Sequence, residues 1–488
     1  MSFSLVGGAS GTTEIAIRMK RIPVALVAGM IAILPVKADC ASCTAFFGLY
    51  LLDAASASQA DELPRKGYFG VRLARLSDEV RVRGQLEAGG GVLIEAVVPG
   101  TTAADGGIRQ GDVLLVLDGR SLSGVADVMT TVAAMAVRQK FEVTLLRGGR
   151  RMILPMTLKE RPRDRGENFD VLYHHVVSGG ARIRTIVTKP HTPGRHPVLF
   201  LIQGLGPTTV DQPLSGPEPY SRILNEFAKT GYVTVRVEKP GIGDSEGGPY
   251  PDIDFQTELD TYRQALISVR TYSFVDADKV VIFGHSMGGV FGPIIASEIP
   301  ITGLAIYGTV AKTWTEYFLE NWRRQAVLAG DDPAHIEAML RDLAVALHYL
   351  LIEQKSPDAI LRARPDLRSI LSKLAPASRI DGRSVPFWSQ LASKNLPAYW
   401  AKGNADVLAI WGRNDFIATE ADHPFIAEIV NKARPGKGTY VALEGSDHGF
   451  RKTTSIQDSF RRWKSPGGEF NPQIITTLKA WMEKVRRQ

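Results

Sequence analysis

Cysteine is nearly missing from this chain. Only Cys40 and Cys43 occur in 488 residues, both near the N-terminus, so a disulfide-stapled fold is excluded and the core must hold by packing. This CxxC lacks a second ligand pair and a βαβ setting, which argues against a zinc or redox centre. Long apolar runs are scarce too. The most apolar stretch, "IPVALVAGMIAILPV" at 22–36, is short for a membrane span and is broken by Pro23 and Pro35. It follows Met19-Lys20-Arg21, and Val36-Lys37-Ala38 or the alanines of "AASASQA" suit a cleavage site. Residues 1–60 therefore read as a signal peptide or membrane anchor, with a periplasmic or secreted destination. The net charge of +7 is spread among acids with no Lys/Arg block, so a nucleic-acid partner is not expected. Histidines and carboxylates show no ligand spacing, and neither a metal nor another cofactor is expected.

What is present is an ordinary globular composition, 44% apolar and 22% charged, over a length that calls for two or three domains. Residues 67–160 form the first unit. "GYFGVRLARL" and "GGGVLIEAVVPG" read as strands, then a short helix and the strand Val113–Leu117 follow. "GVADVMTTVAAMAVRQ" has helical spacing at Val125, Val128, Met129 and Val132, and "KFEVTLLRGGRRMILPMTL" is a hairpin turned at Gly148-Gly149. The landmarks of "GVLIEAVVPGTTAADGGIRQGDVLLVLDGR" resemble the PDZ domains of bacterial envelope proteases. The resemblance implies a groove for a peptide or protein C-terminus, its carboxylate held by backbone N–H groups of Tyr68, Phe69 and Gly70. A PDZ fold kept as a rigid spacer is the alternative.

"KERPRDRGEN" marks a charged linker, bounded at 161–169, and the pattern changes from 170 to 488. A hairpin across Gly179-Gly180 precedes alternating βαβα segments with apolar strands: "HPVLFLIQGLG", "VTVRV", "KVVIFG", "ITGLAIYGT", "ADVLAIWGRND" and "GTYVALEG". This is an α/β architecture with a mainly parallel sheet covered on both faces. Between 311 and 400 the strand signal gives way to helical stretches, as expected for a cap over one end of the sheet.

Ligands in such sheets bind beyond the carboxyl ends of the strands. "VVIFGHSMGGVFG" places Ser286 there, between an apolar strand and a helix, which is the setting of a nucleophile elbow. Gly243-Asp244-Ser245-Glu246-Gly247 has the same Gly-x-Ser-x-Gly pattern without strand or helix around it. A serine needs a base, and the base an orienting acid. Asp415, after "VLAIWGRN", and His448, in "EGSDHGF", follow Ser286 in that order at strand ends, with His423 as the second choice of base. Backbone N–H groups of Leu205 and Met287 would form an oxyanion hole. As a set, "QGLG", "KPGIGDSEG", "GHSMGG", "WGRND" and "GSDHGF" resemble the α/β-hydrolase superfamily, with a cap similar to that of bacterial esterases related to serine aminopeptidases. One departure is Gln203, where many relatives carry histidine. The resemblance implies a serine hydrolase that cleaves a small-molecule carboxylic ester through an acyl-enzyme. The alternatives are a serine peptidase to which the PDZ domain recruits peptides, and a non-catalytic PDZ adapter.

Overall fold

The computed structural model describes residues 62–74, 76, 81–82, 90–463, 465 and 467–486. The expected leader at 1–60, with Cys40 and Cys43, lies outside them. No helix among the described residues is long and apolar enough to cross a membrane.

The first sheet is antiparallel, with Val71–Ala74 (β1), Val92–Val97 (β2), Val113–Leu117 (β3), Lys140–Arg147 (β5) and Arg150–Thr157 (β6) in the order β1-β2-β3-β5-β6. Arg120–Ser121 (β4) pairs with β3. Gly148 and Gly149, at φ 54° and 81°, make the β5–β6 turn. Such a two-residue turn needs left-handed backbone at both positions, which glycine adopts at no steric cost. A short helix, Thr102–Asp105 (α1), and a longer one, Val125–Ala134 (α2), complete the unit around Phe69, Ile94, Leu114, Val143 and Leu145. Helical spacing put Met129 on the inward face of α2, yet it is 64% exposed. Val128 and Thr131 make the buried contact instead. Met129 falls one residue, about 100°, round the helix from Val128 and so leaves the core.

The second sheet has the strand order β16-β15-β12-β11-β9-β10-β8-β7. Phe169–Ser178 (β7) and Ala181–Pro190 (β8) form the hairpin, and β8 pairs antiparallel with Val233–Val237 (β10). His196–Ile202 (β9), β10, Val275–His285 (β11), Gly303–Tyr307 (β12), Asp406–Gly412 (β15) and Gly438–Leu443 (β16) run parallel. Parallel strands buried on both faces are predominantly apolar on both faces. All five residues of β10 and of β12 are buried, arginine Arg236 included.

Helices Pro219–Ala228 (α3), Phe255–Val269 (α4) and Gly288–Ala296 (α5) connect the first parallel strands. Between β12 and β15 the chain forms Trp314–Ala329 (α6), Pro333–Leu347 (α7), Pro357–Ala363 (α8), Arg368–Leu374 (α9), Val385–Ala392 (α10) and Leu396–Lys402 (α11). A small hairpin, Arg379–Ile380 (β13) with Arg383–Ser384 (β14), interrupts them; its strands are too short for a periodic sequence signal. Asp422–Ala433 (α12), Ile456–Arg462 (α13) and Gln473–Arg486 (α14) follow.

The segments flanking the first unit are fastened to the second. Arg65 is buried with its Nη1 2.5 Å from Asp211 and 2.6 Å from Asp244, and its guanidinium lies over the Tyr173 ring. Downstream, Asp164 takes a 3.2 Å ion pair from Arg236 and the N–H of Leu214. Among the described residues, removing the buried cation leaves Asp244 only the 3.3 Å ion pair with Arg184 and Asp211 only the 3.8 Å ion pair with Arg161, and breaking a buried pair typically costs up to roughly 3–5 kcal/mol. Arg65→Met is therefore expected to lower the melting temperature clearly. An unchanged melting curve would show that this cluster does not hold the segment.

Candidate functional site

Because their strands run parallel, the loops after β9, β11, β12, β15 and β16 open on one edge of the sheet. β11 ends at His285, and Ser286 follows with φ 53°, a left-handed conformation that is uncommon outside glycine. Helix α5 starts at Gly288. The turn is held by the N–H of Ser286 on Tyr307 O (2.9 Å) and by Thr309 Oγ1 on Ser286 O (3.0 Å). A Cβ on Gly288 would stand 2.0 Å from the carbonyl oxygen of Ile202, so only glycine lets the helix begin so close to β9. The other Gly-x-Ser-x-Gly serine, Ser245, is fully buried and accepts the N–H of Arg184.

Asp415 and His448 come together. Asp415 Oδ2 lies 2.7 Å from His448 Nδ1, and Asp415 Oδ1 accepts the N–H groups of Ile417 (2.7 Å) and Ala418 (2.9 Å). With the carboxylate on Nδ1–H, the lone pair of this imidazole sits on Nε2. Gly308, at φ 62°, gives the pair its room: a Cβ there would be 2.9 Å from both Asp415 Oδ2 and His448 Nδ1. His423, the second candidate base, is wholly buried. Its Nε2 accepts the N–H of Thr309, which leaves Nδ1–H for the Thr419 carbonyl. Burial holds its pKa below the ordinary range, and its position is that of a neutral structural residue.

Ser286 and His448 line one cavity of about 550 Å³, together with Leu205 and Met287. The N–H groups on either side of Leu205 are engaged, Gly204 with Tyr220 Oη (3.1 Å) and Gly206 with Tyr250 Oη (3.2 Å). Met287 immediately precedes α5, where backbone N–H groups lack partners within the helix. Gln203 is buried at the wall of the same cavity, and its amide reaches Val237 O at 3.4 Å.

Two networks here were not singled out from the sequence, Lys239–Glu258–Arg383 and Tyr220–His285. Lys239, fully buried just beyond β10, donates to Gly204 O (2.5 Å) and Gly206 O (2.9 Å) and so clamps both carbonyls of the Leu205 turn. Glu258 faces it at 3.5 Å and pairs with Arg383 at 2.6 Å. Burial pushes the Lys239 ammonium down to about 8, with Glu258 opposing the shift. Tyr220 Oη lies 2.6 Å from His285 Nδ1, and His285 Nε2 lies 2.9 Å from the backbone oxygen of His448. Burial raises the Tyr220 pKa, so its hydroxyl stays protonated and donates to His285. The histidine before Ser286 thus joins the Gly204 loop to the His448 loop. For the Lys239 network, a lysine two residues after a buried strand was the one sequence signal available.

In the first unit, Phe69 is buried in the core and the N–H of Tyr68 is taken by Lys159 O (2.8 Å). The carbonyls of Phe69 and Gly70 accept from Ala103 and Val98. Of the three residues expected to bind a carboxylate, Tyr68 has its N–H already committed.

Residues 199–453 match the model of the alpha/beta hydrolase family, and residues 67–156 match that of the PDZ domain. The chain belongs to the alpha/beta hydrolase family and carries an N-terminal PDZ domain. Among curated relatives, periplasmic serine endoprotease DegP of Escherichia coli (strain K12) is 26% identical over 107 residues, 22% of this chain and 23% of that protein. Quorum-quenching protein AidA of Acinetobacter baumannii (strain MDR-ZJ06) is 27% identical over 120 residues, 25% of this chain and 36% of that protein. The chain thus spans less than a quarter of the length of DegP. The structure of DcsB in complex with its substrate analogue covers 65% of this chain and 98% of that one at 16% identity, with a TM-score of 0.41. Est1E from Butyrivibrio proteoclasticus covers 65% and 99% at 14% identity, with a TM-score of 0.39.

Proposed function

We propose that this protein is a serine hydrolase that cleaves a carboxylic ester through an acyl-enzyme. The observation that carries the reading is the Asp415–His448 bond of 2.7 Å, on the cavity that Ser286 lines from its left-handed turn. His448 Nε2 takes the proton of Ser286 as Oγ attacks the acyl carbon, and Asp415 stabilises the imidazolium. The N–H groups of Leu205 and Met287 receive the developing oxyanion. The imidazolium protonates the departing alkoxide; a water, deprotonated by the same imidazole, then releases the acid and restores Ser286.

We assign residues 67–160 to the PDZ domain, 161–169 to the linker and 170–488 to the hydrolase domain, with 311–400 as its cap. Residues 1–60 are assigned to a leader or anchor that delivers the protein to the periplasm or outside the cell. The named periplasmic proteases that its PDZ part resembles support that location. The same likeness favours a second reading, a peptidase whose PDZ groove takes peptide C-termini, with Phe69 and Gly70 left as the expected donors once Tyr68 N–H is committed. A fluorophosphonate probe is expected to label the full chain and not its Ser286→Ala variant. Absence of labelling in folded protein would leave the adapter. Turnover of p-nitrophenyl acyl esters well above that of aminoacyl amides supports the esterase, and the reverse order supports the peptidase.

Tyr220→Phe tests the link through His285. It removes one acceptor for Gly204 and one donor to His285, each hydrogen bond worth roughly 1 kcal/mol. An approximately tenfold lower kcat is expected, with KM little changed. An unaltered kcat would make Tyr220 a packing residue only.

A further inference from the structure

The cavity beside Ser286 has one formal charge on its described walls apart from histidine, and it is negative. Asp381 lines it, and no lysine or arginine does. The residue sits at the tip of the β13–β14 hairpin, where Asp381 and Gly382 take φ 45° and 76°. Its neighbour Arg383 turns inward to Glu258 (2.6 Å) and over the Tyr250 and Phe387 rings, and so does not neutralise it. Asp381 is exposed overall and accessible from the cavity, while neighbouring protein removes part of the water around its carboxyl group. Burial alone raises its pKa, and no cation of the described protein offsets that shift.

The wall beside it is aromatic. Trp314 stacks on Trp388 at 5.6 Å and packs on Tyr317 at 4.8 Å, and Phe318 and Trp322 extend the surface. Trp388 Nε1 donates to Ile380 O (2.7 Å), which fastens the hairpin to this wall. A carboxylate without a counter-ion facing aromatic rings attracts a cation on two grounds, charge pairing and the negative faces of the rings. It disfavours an anion on the same grounds.

Resting on the cavity assigned above to catalysis, we propose that the substrate carries a cationic nitrogen, an ammonium or trimethylammonium group, seated between Asp381 and the Trp314–Tyr317–Trp388 wall. This narrows the substrate class from carboxylic esters in general to esters with a positive charge on the part held under the cap. Tyr317, half-buried on the cavity, supplies the accessible ring face, the buried Trp314 and Trp388 buttress it, and Asp381 supplies the charge.

The test uses the full chain carrying Ser286→Ala, which binds without turnover. Choline and its uncharged carbon isostere 3,3-dimethylbutan-1-ol are titrated at pH 7.5 while tryptophan fluorescence is followed. Choline is expected to bind about tenfold or more tightly than the alcohol. Adding Asp381→Asn should bring that ratio close to one. Asparagine suits the same left-handed turn, so the hairpin is retained, and an unchanged near-ultraviolet circular dichroism spectrum verifies it. Equal affinities for the two probes, or a preference for choline that survives Asp381→Asn, overturns the proposal. Failure of the esterase reading is separate, because it shows as absent labelling of Ser286 in the wild-type chain and leaves this binding ratio untouched.

Discussion

Asp415→Asn is expected to lower kcat on a p-nitrophenyl ester by roughly 10⁴-fold while KM stays within a few-fold. The size of the effect follows from where the two carboxylate oxygens point. Oδ1 accepts two backbone N–H groups, from Ile417 and Ala418, and Oδ2 faces His448 Nδ1. In the variant those two N–H groups fix the amide oxygen on their side, so the NH₂ must face the imidazole. An N–H donor there selects the tautomer with hydrogen on Nε2, which cannot take a proton from Ser286. Shape is nearly conserved, so substrate binding is retained and the loss appears in kcat. A fall of less than tenfold would remove Asp415 from its assigned role.

Lys239→Met is expected to cost about 10²-fold in kcat, the scale of one lost oxyanion donor, with little change in KM. Lys239 does not reach substrate and acts as a positioning residue. Its bonds to Gly204 O and Gly206 O hold the turn that aims the Leu205 N–H. Methionine fills a similar volume but donates nothing, and Glu258 keeps its pairing with Arg383. The pH dependence separates this role from a purely structural one. With its pKa pushed down to about 8, the clamp loses its charge as pH rises through 8, and an alkaline limb in kcat near that pH should vanish in the variant. Stability runs the other way. Between pH 8 and the ordinary lysine value near 10.4, the unfolded chain binds more protons than the folded one at this site, so the contribution of Lys239 to the unfolding free energy rises with pH. An alkaline limb that persists in Lys239→Met would assign it to another group.

Much of the scaffold was readable because it is encoded locally. Gly179-Gly180 turn the hairpin they were expected to turn, both at positive φ, and the apolar strands of the second unit fall where their runs predict. Met129 shows the limit of such reading, since spacing alone does not say how wide the buried stripe of a helix is. Apart from the place of Lys239 just after a buried strand, the Lys239–Glu258–Arg383 network was hidden for another reason. Its members lie far apart in sequence, and charged residues ordinarily read as surface until burial against a partner is seen. His285 and Tyr220 were hidden likewise, because their bonds span 65 residues and, to His448, 163.

The sequence by itself determined the two kinds of sheet, the elbow at Ser286 and the order of serine, aspartate and histidine. Each depends on contacts between near neighbours or on the repeating direction of side chains along a strand. Only the tertiary structure decided that Asp415 holds His448, that a buried lysine steadies the Leu205 turn, and that Asp381 is the one carboxylate among the described residues that line the cavity beside its aromatic wall. Those outcomes depend on which distant loops meet at one sheet edge, and on what water is excluded there. No local pattern of residues specifies either.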